Sequence, residues 1–143
     1  MKYIGLLLTS IGVFLVILIN LYYNSITLDI QMMKDYILES NIILEDVIEK
    51  EEYVYEKEGE YISRLISIKK GIEKSKTSFL VNDYKQYRIK SIDNLIQSVS
   101  NRKDKEKYLE EVKKYNELSQ KELDQMLDSK FSKVTNLTFN TYN

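Results

Sequence analysis

The chain has 143 residues, with 22 acidic and 21 basic side chains, no Pro, Cys, His or Trp, and only four Gly. That composition excludes disulfides, thiol chemistry and the usual zinc and haem ligands, and it removes most helix breakers. Long helices are the simplest fold left, and a formal net charge of -1 argues against a strong electrostatic nucleic-acid binder.

The first element is Tyr3–Tyr23, YIGLLLTSIGVFLVILINLYY, which carries no charged side chain. A helix over it covers roughly 30 Å of hydrocarbon at about 1.5 Å per residue. Uncharged residues continue to Leu28, well beyond the roughly 7–15 residue apolar core of a signal peptide. No small-x-small cleavage site lies between Ile19 and Ser25, and no Cys follows to carry a lipid. Residues 1–24 are therefore expected to be a retained transmembrane signal-anchor, held in the lipid bilayer through Tyr3–Tyr23. A cleaved signal and a buried core helix are the competing readings. Tyr3 at one end and Tyr22 and Tyr23 at the other suit the two interfaces. Gly5 and Gly12 do not form GxxxG and predict no particular membrane dimer. Lys2 precedes the run and Asp29 is the first charge after it. The Lys/Arg bias then predicts a single-pass protein of the cell membrane, N-terminus cytoplasmic and C-terminal domain extracytoplasmic.

Residues 25–133 read as an α-helical bundle or coiled-coil domain. Ile30, Ile37, Leu44, Leu65, Ile72 and Phe79 fall in one register position and Met33, Val47, Val54, Tyr61 and Ile68 in the other, at helical spacing. Ser40, Glu51, Glu58 and Ser75 interrupt that seam. A first helix is expected from Ser25 to Lys57 and a turn at Glu58–Glu60, where Gly59 would take a left-handed position. Lys69, Lys70 and Gly71 resemble a helix C-terminus, and Ser75, Thr77 and Ser78 would extend that stop. A further helix runs to about Val99, a turn follows at Ser98–Asn101, and Asn101 with Asp104 resembles an N-cap pair. The last helix carries Leu109, Val112, Tyr115 or Asn116, Leu118, Leu123, Met126, Leu127 and Phe131 to near Lys133. Residues 134–143 are expected to be a polar flexible tail, and their Asn136-Leu137-Thr138 sequon is a weak signal.

The predicted fold is thus all-α: a single N-terminal transmembrane helix followed by an antiparallel three-helix bundle. A true turn at Gly71–Ser78 makes it a four-helix bundle, and a long coiled-coil rod is the other alternative. Residues 24–66 hold 11 acidic and 4 basic side chains, whereas residues 67–143 hold 11 acidic and 16 basic ones. Opposite signs would favour folding back, against the plainer reading of ordinary solvated faces.

Catalysis has only Asp, Glu, Lys and Tyr to draw on. Glu45 with Glu49 and Glu52 with Glu56 share helix faces but read as solvated acids, and a bundle di-metal site wants His. No phosphate loop, EF-hand, nucleophile elbow or zinc motif occurs. The expectation is accordingly no enzyme, no catalytic, cofactor-binding or metal residue, and no cofactor. The mixed-charge stretch NRKDKEKY, Asn101 to Tyr108, reads as a soluble helix face rather than a lipid or polymer contact. Twelve tyrosines either edge a narrow core or make an interaction surface.

These features point to a membrane-anchored helical protein that presents its outer domain for protein–protein interaction or structural assembly, with a protein partner or a second copy. An extracytoplasmic sensory or ligand-binding bundle, signalling through a separate membrane partner, is the alternative, and a small accessory to lysis or secretion shares the topology. Neither nucleic acid nor a small-molecule substrate is expected.

Overall fold

A computed structural model describes the backbone from Lys2 to Asp128 and the side chains from Gly12 to Leu127. With no breaker to stop it, α1 runs unbroken from Lys2 to Glu49. Its 48 residues extend about 72 Å. The apolar run and the first helix of the body are one rod, with no interruption near residues 24 and 25.

The chain then reverses through α2 (Glu51–Glu56), and α3 (Glu58–Lys74) returns beside α1. The reversal has two breaks, at Lys50 (φ -125°, ψ 46°) and Lys57 (φ -116°, ψ 28°). Glu58–Glu60, expected as the turn, is instead the first turn of α3. Gly59 takes no left-handed conformation, because the helix starts one residue before it. Antiparallel pairing is fixed by Tyr61 Oη donating to Asp46 Oδ2 (2.8 Å) and Arg64 Nε to Glu39 Oε1 (3.2 Å).

The stop expected at Lys69-Lys70-Gly71 falls later: α3 passes through Gly71 to Lys74, and the turn lies within the Gly71–Ser78 stretch that the four-helix alternative required. Gly71 serves packing instead, since a Cβ there would run into the ring of Tyr36 on α1. The helix ends at Ser75, whose hydroxyl donates to Gly71 O (2.9 Å) and whose backbone turns extended (φ -60°, ψ 122°). Lys85 Nζ donates to the carbonyls of Glu73 (3.0 Å) and Ser75 (2.8 Å), so a side chain of the following helix satisfies the last open acceptors. The turn is also pinned from the other side. The Asp29 carboxylate, buried on α1, accepts from the Ser78 backbone N–H (2.9 Å) and from the Ser78 hydroxyl.

A 3-10 turn (Phe79–Val81) leads into α4 (Asn82–Ser100), and a second one (Arg102–Asp104) leads into α5 (Lys105–Asp128). Lys69 Nζ to Asp93 Oδ1 (2.6 Å) ties α3 to α4, and Arg88 and Ser91 both reach Asn116 to tie α4 to α5. At the far end Tyr23 Oη donates to Leu127 O (3.2 Å), bringing α5 back beside α1. Four helices, the distal part of α1 with α3, α4 and α5, alternate in direction, so the body is a four-helix bundle and not the expected three-helix one. The turn after Ser75 divides what the three-helix reading treated as one member. The single-rod alternative fails for the same reason, because the chain packs on itself.

The core seam is largely as the spacing predicts: Met33, Ile37, Val47, Val54, Tyr61, Leu65, Ile68 and Ile72 are buried, joined by Val81, Tyr84, Ile92, Leu95, Val99 and Val112. Phe79 is the exception at 87 % exposed, since the extended turn before it breaks the helical register that placed it under Ile72. Ser40, an interruption in the seam, is buried with its hydroxyl on Ile37 O (2.8 Å). Asn101 does not cap the amides of the next helix; its Nδ2 donates to Asp104 Oδ2 (3.1 Å). The charge asymmetry contributes little, as Lys105–Glu51 is the one ion pair among the described residues that joins the acidic segment to the basic one. Phe131, the expected end near Lys133, the tail 134–143 and its sequon lie outside the described residues.

Candidate functional site

A helix that enters a bundle turns one face inward, and α1 does so through Ile26, Met33, Ile37, Ile43 and Val47. Its other side is not correspondingly polar. Leu28, Met32, Leu38 and Ile42 are exposed there, interleaved with Gln31 and Asp35. Below them Val13 to Leu18 and Leu21 are exposed too, so none of the described residues covers that stretch. Alone among the described residues, α1 is long and apolar enough to cross a membrane. Among the described residues little of that span is buried, which speaks against the buried-core-helix reading.

Where α1 faces α5 the two helices do not close. Between them lies a groove of about 580 Å³, walled by Leu44 and Ile48 of α1 and by Leu109 and Val112 of α5. Asn41, Lys113, Glu117 and Gln120 edge it, and Arg88 of α4 and Asn116 reach it from the bundle side. The guanidinium of half-buried Arg88 lies 5.4 Å from the Tyr84 ring centroid. Its NH1 donates to Asn116 Oδ1 (3.0 Å), which also accepts from Ser91 Oγ (2.8 Å). Arg88 forms no ion pair among the described residues, and Asn116 Nδ2 donates to none of them.

About one helical turn beyond the groove, Lys105 is only 8 % exposed along its side chain and reaches Glu51 Oε2 at 3.1 Å. That contact holds the Glu51 carboxyl below the usual carboxylate range against the opposing effect of burial. The Arg102 guanidinium stacks 3.9 Å from the Tyr55 ring centroid. Burial first, and Glu51 second, push the Tyr55 phenol up, and its hydroxyl is buried without a well-formed hydrogen bond. The basic stretch NRKDKEKY thus spends Arg102 and Lys105 on holding the bundle together, while Lys103, Glu106 and Lys107 face solvent.

The tyrosines mostly edge the core. Tyr61 and Tyr84 are buried, and Tyr87 and Tyr115 stack across α4 and α5 with centroids 6.3 Å apart. Tyr36 and Tyr53, 17 residues apart, are the tyrosines most exposed among the described residues. Asp46 accepts from Lys50 (2.7 Å) and Tyr61 (2.8 Å), and these hydrogen bonds, Lys50's the stronger, lower its pKa. Tyr61 is pushed up to about 12, by burial and then by Asp46. Glu45, Glu49, Glu52 and Glu56 are exposed, and no acidic group among the described residues gathers into a metal-binding set.

Sequence reasoning missed the groove, and it placed Asn116 only as an alternative to Tyr115 along the last helix, without a polar role. An Asn at a position flanked by apolar Val112 and Ser119 on the inward face of α5 was the available signal. No protein-family model, curated protein or solved structure matches the chain.

Proposed function

We propose that this chain is a non-enzymatic membrane-anchored protein, which holds a four-helix body outside the cytoplasm and offers the outer face of α1 to a protein partner or a second copy. What carries the reading is the unpaired apolar side of α1, Leu28, Met32, Leu38 and Ile42, on the same rod as the uncovered apolar run. Several large apolar side chains exposed on one side of a helix are the kind of surface a partner covers. The topology rests on Lys2 and the Lys/Arg bias.

The test is the full-length chain extracted in mild detergent, beside the variant Met32→Lys/Leu38→Lys/Ile42→Lys. All three positions are exposed, so the helical signal should be unchanged. Wild type is expected to migrate as a complex and the variant as a lone chain. A wild type that is monomeric and alone would defeat the proposal. Protease added to intact cells should digest the body and spare residues 3–23.

The groove between α1 and α5 favours a second reading, a sensory or ligand-binding bundle that acts through a separate membrane partner.

A further inference from the structure

We infer that the α1–α5 groove is a binding site for an amphiphilic carboxylate, a medium-length aliphatic chain with one anionic head. This goes beyond the tethering role, and it departs from the sequence expectation of no small-molecule ligand. The walls are aliphatic: Leu44 and Ile48 face Leu109 and Val112. Its volume of about 580 Å³ falls inside the roughly 300–1,000 Å³ of small-ligand sites. Asn41 to Ile48 gives it a length of about 10 Å along α1, which suits an acyl chain laid between the two helices.

The polar end selects the sign of the head group. Arg88 is half-buried and has no carboxylate partner among the described residues. One of its terminal nitrogens is held by Asn116 Oδ1 at 3.0 Å, and the other terminal nitrogen makes no hydrogen bond to a described residue. Because Asn116 Oδ1 is occupied by Arg88 and Ser91, the amide's Nδ2 remains a donor without an acceptor. Two sets of donors therefore converge where the aliphatic walls end. The guanidinium fork matches a carboxylate in two parallel hydrogen bonds. Glu117, the acid at the rim, is opposed by Lys113 at 4.0 Å, so the groove keeps a net positive charge in an otherwise slightly acidic chain. The groove lies about 30 Å along α1 from Tyr23, on the water side of the apolar run, so a monomeric amphiphile reaches it without entering hydrocarbon.

The experiment uses the full chain in phosphatidylcholine nanodiscs with a decanoate carrying a diazirine on its chain. Labelling is expected at Leu44, Ile48, Leu109 or Val112, and excess decanoate should suppress it whereas decyltrimethylammonium should not. Arg88→Gln should weaken labelling on the order of tenfold by removing a charge-assisted contact. Ile48→Glu, at a position 59 % exposed, leaves Arg88 and its hydrogen bonds in place and sets a carboxylate at the groove. It should abolish labelling with the helical signal intact, and it decides the matter alone if Arg88→Gln does not fold. Equal competition by the cation, labelling confined to residues 12–23, or wild-type labelling of Ile48→Glu would each overturn the assignment. None of these substitutions touches the outer face of α1, so failure here is separate from failure of the tethering role.

Discussion

Two seams run along this bundle, and they are built differently. Helices α4 and α5 pack more closely than any other pair. Small residues allow it: Ser91 and Ser98 lie on the same face of α4, seven residues apart, and Ser119 is buried on α5. Ser98 and Ser119 satisfy their hydroxyls locally, on Leu95 O (2.8 Å) and Asn116 O (2.7 Å), and Ser91 donates across the seam to Asn116 Oδ1 (2.8 Å), so close approach leaves no stranded donor. Helices α1 and α5 meet instead through long side chains and a groove, joined at their far end by Tyr23 and Leu127. The closed seam gives the body its stability. The open seam, which the closed one leaves free of structural duty, is the one to which the proposed ligand is assigned.

The largest effect should separate the seams. Leu95→Ala, in the core of α4, is expected to cost about 2–5 kcal/mol, whereas Ile48→Ala at the groove should stay within about 0.5 kcal/mol. Denaturant midpoints measure both, and equal losses would dissolve the distinction. Next is Asp29→Ala, which strands the backbone N–H of Ser78 and should destabilise the body by about 1–3 kcal/mol. Asp29→Asn keeps an acceptor and should recover part of it, which would show that α1 is held by the α3–α4 turn rather than by α5.

A smaller effect is expected with pH. The folded state holds Asp46 below its ordinary value, so its contribution is present above the usual carboxylate range and fades as acid protonates it. For Tyr61, raised to about 12, the contribution is complete below about pH 10 and is lost as pH climbs from there towards the folded value. Thermal melts should therefore fall at both extremes, and Tyr61→Phe should blunt the alkaline fall and weaken the acid one only in part, since the Lys50 hydrogen bond to Asp46 remains. A Tyr61→Phe protein with an unchanged alkaline fall would remove this pair from the account of how α1 and α3 are joined.

Much of this fold is legible in the sequence because it depends on periodicity. The missing breakers give the single rod of α1, and the apolar spacing picks out Met33, Val47, Leu65 and Ile72 as core. Errors concentrate where a residue type has two physical uses. Gly71 beside two lysines reads as a helix stop, but its lack of a side chain is needed for the ring of Tyr36. Asp29 reads only as the first charge after the apolar run, whereas it holds a turn 49 residues away. Phe79 reads as core by counting residues through a turn where counting no longer applies. The groove has no sequence signature at all: it arises because α5 sits tighter against α4 than against α1, a difference set by serines that a hydrophobicity pattern scores as polar. Arg88 and Asn116 are visible singly, and only their convergence at the end of an aliphatic channel gives them chemical meaning.

The unbroken length of α1 has a mechanical consequence. From Lys2 the first departure from helical geometry is at Lys50, beyond the point where the rod has joined the body. There is no joint in which a rotation could dissipate. Twisting the lower third about its axis must swing the whole bundle through the same angle, carrying Leu28, Met32 and Ile42 round to a different neighbour. Tilting it displaces the distal end in proportion to the lever arm. Such a shaft couples in both directions, so an event at the groove and a change in the apolar segment act on one continuous helix.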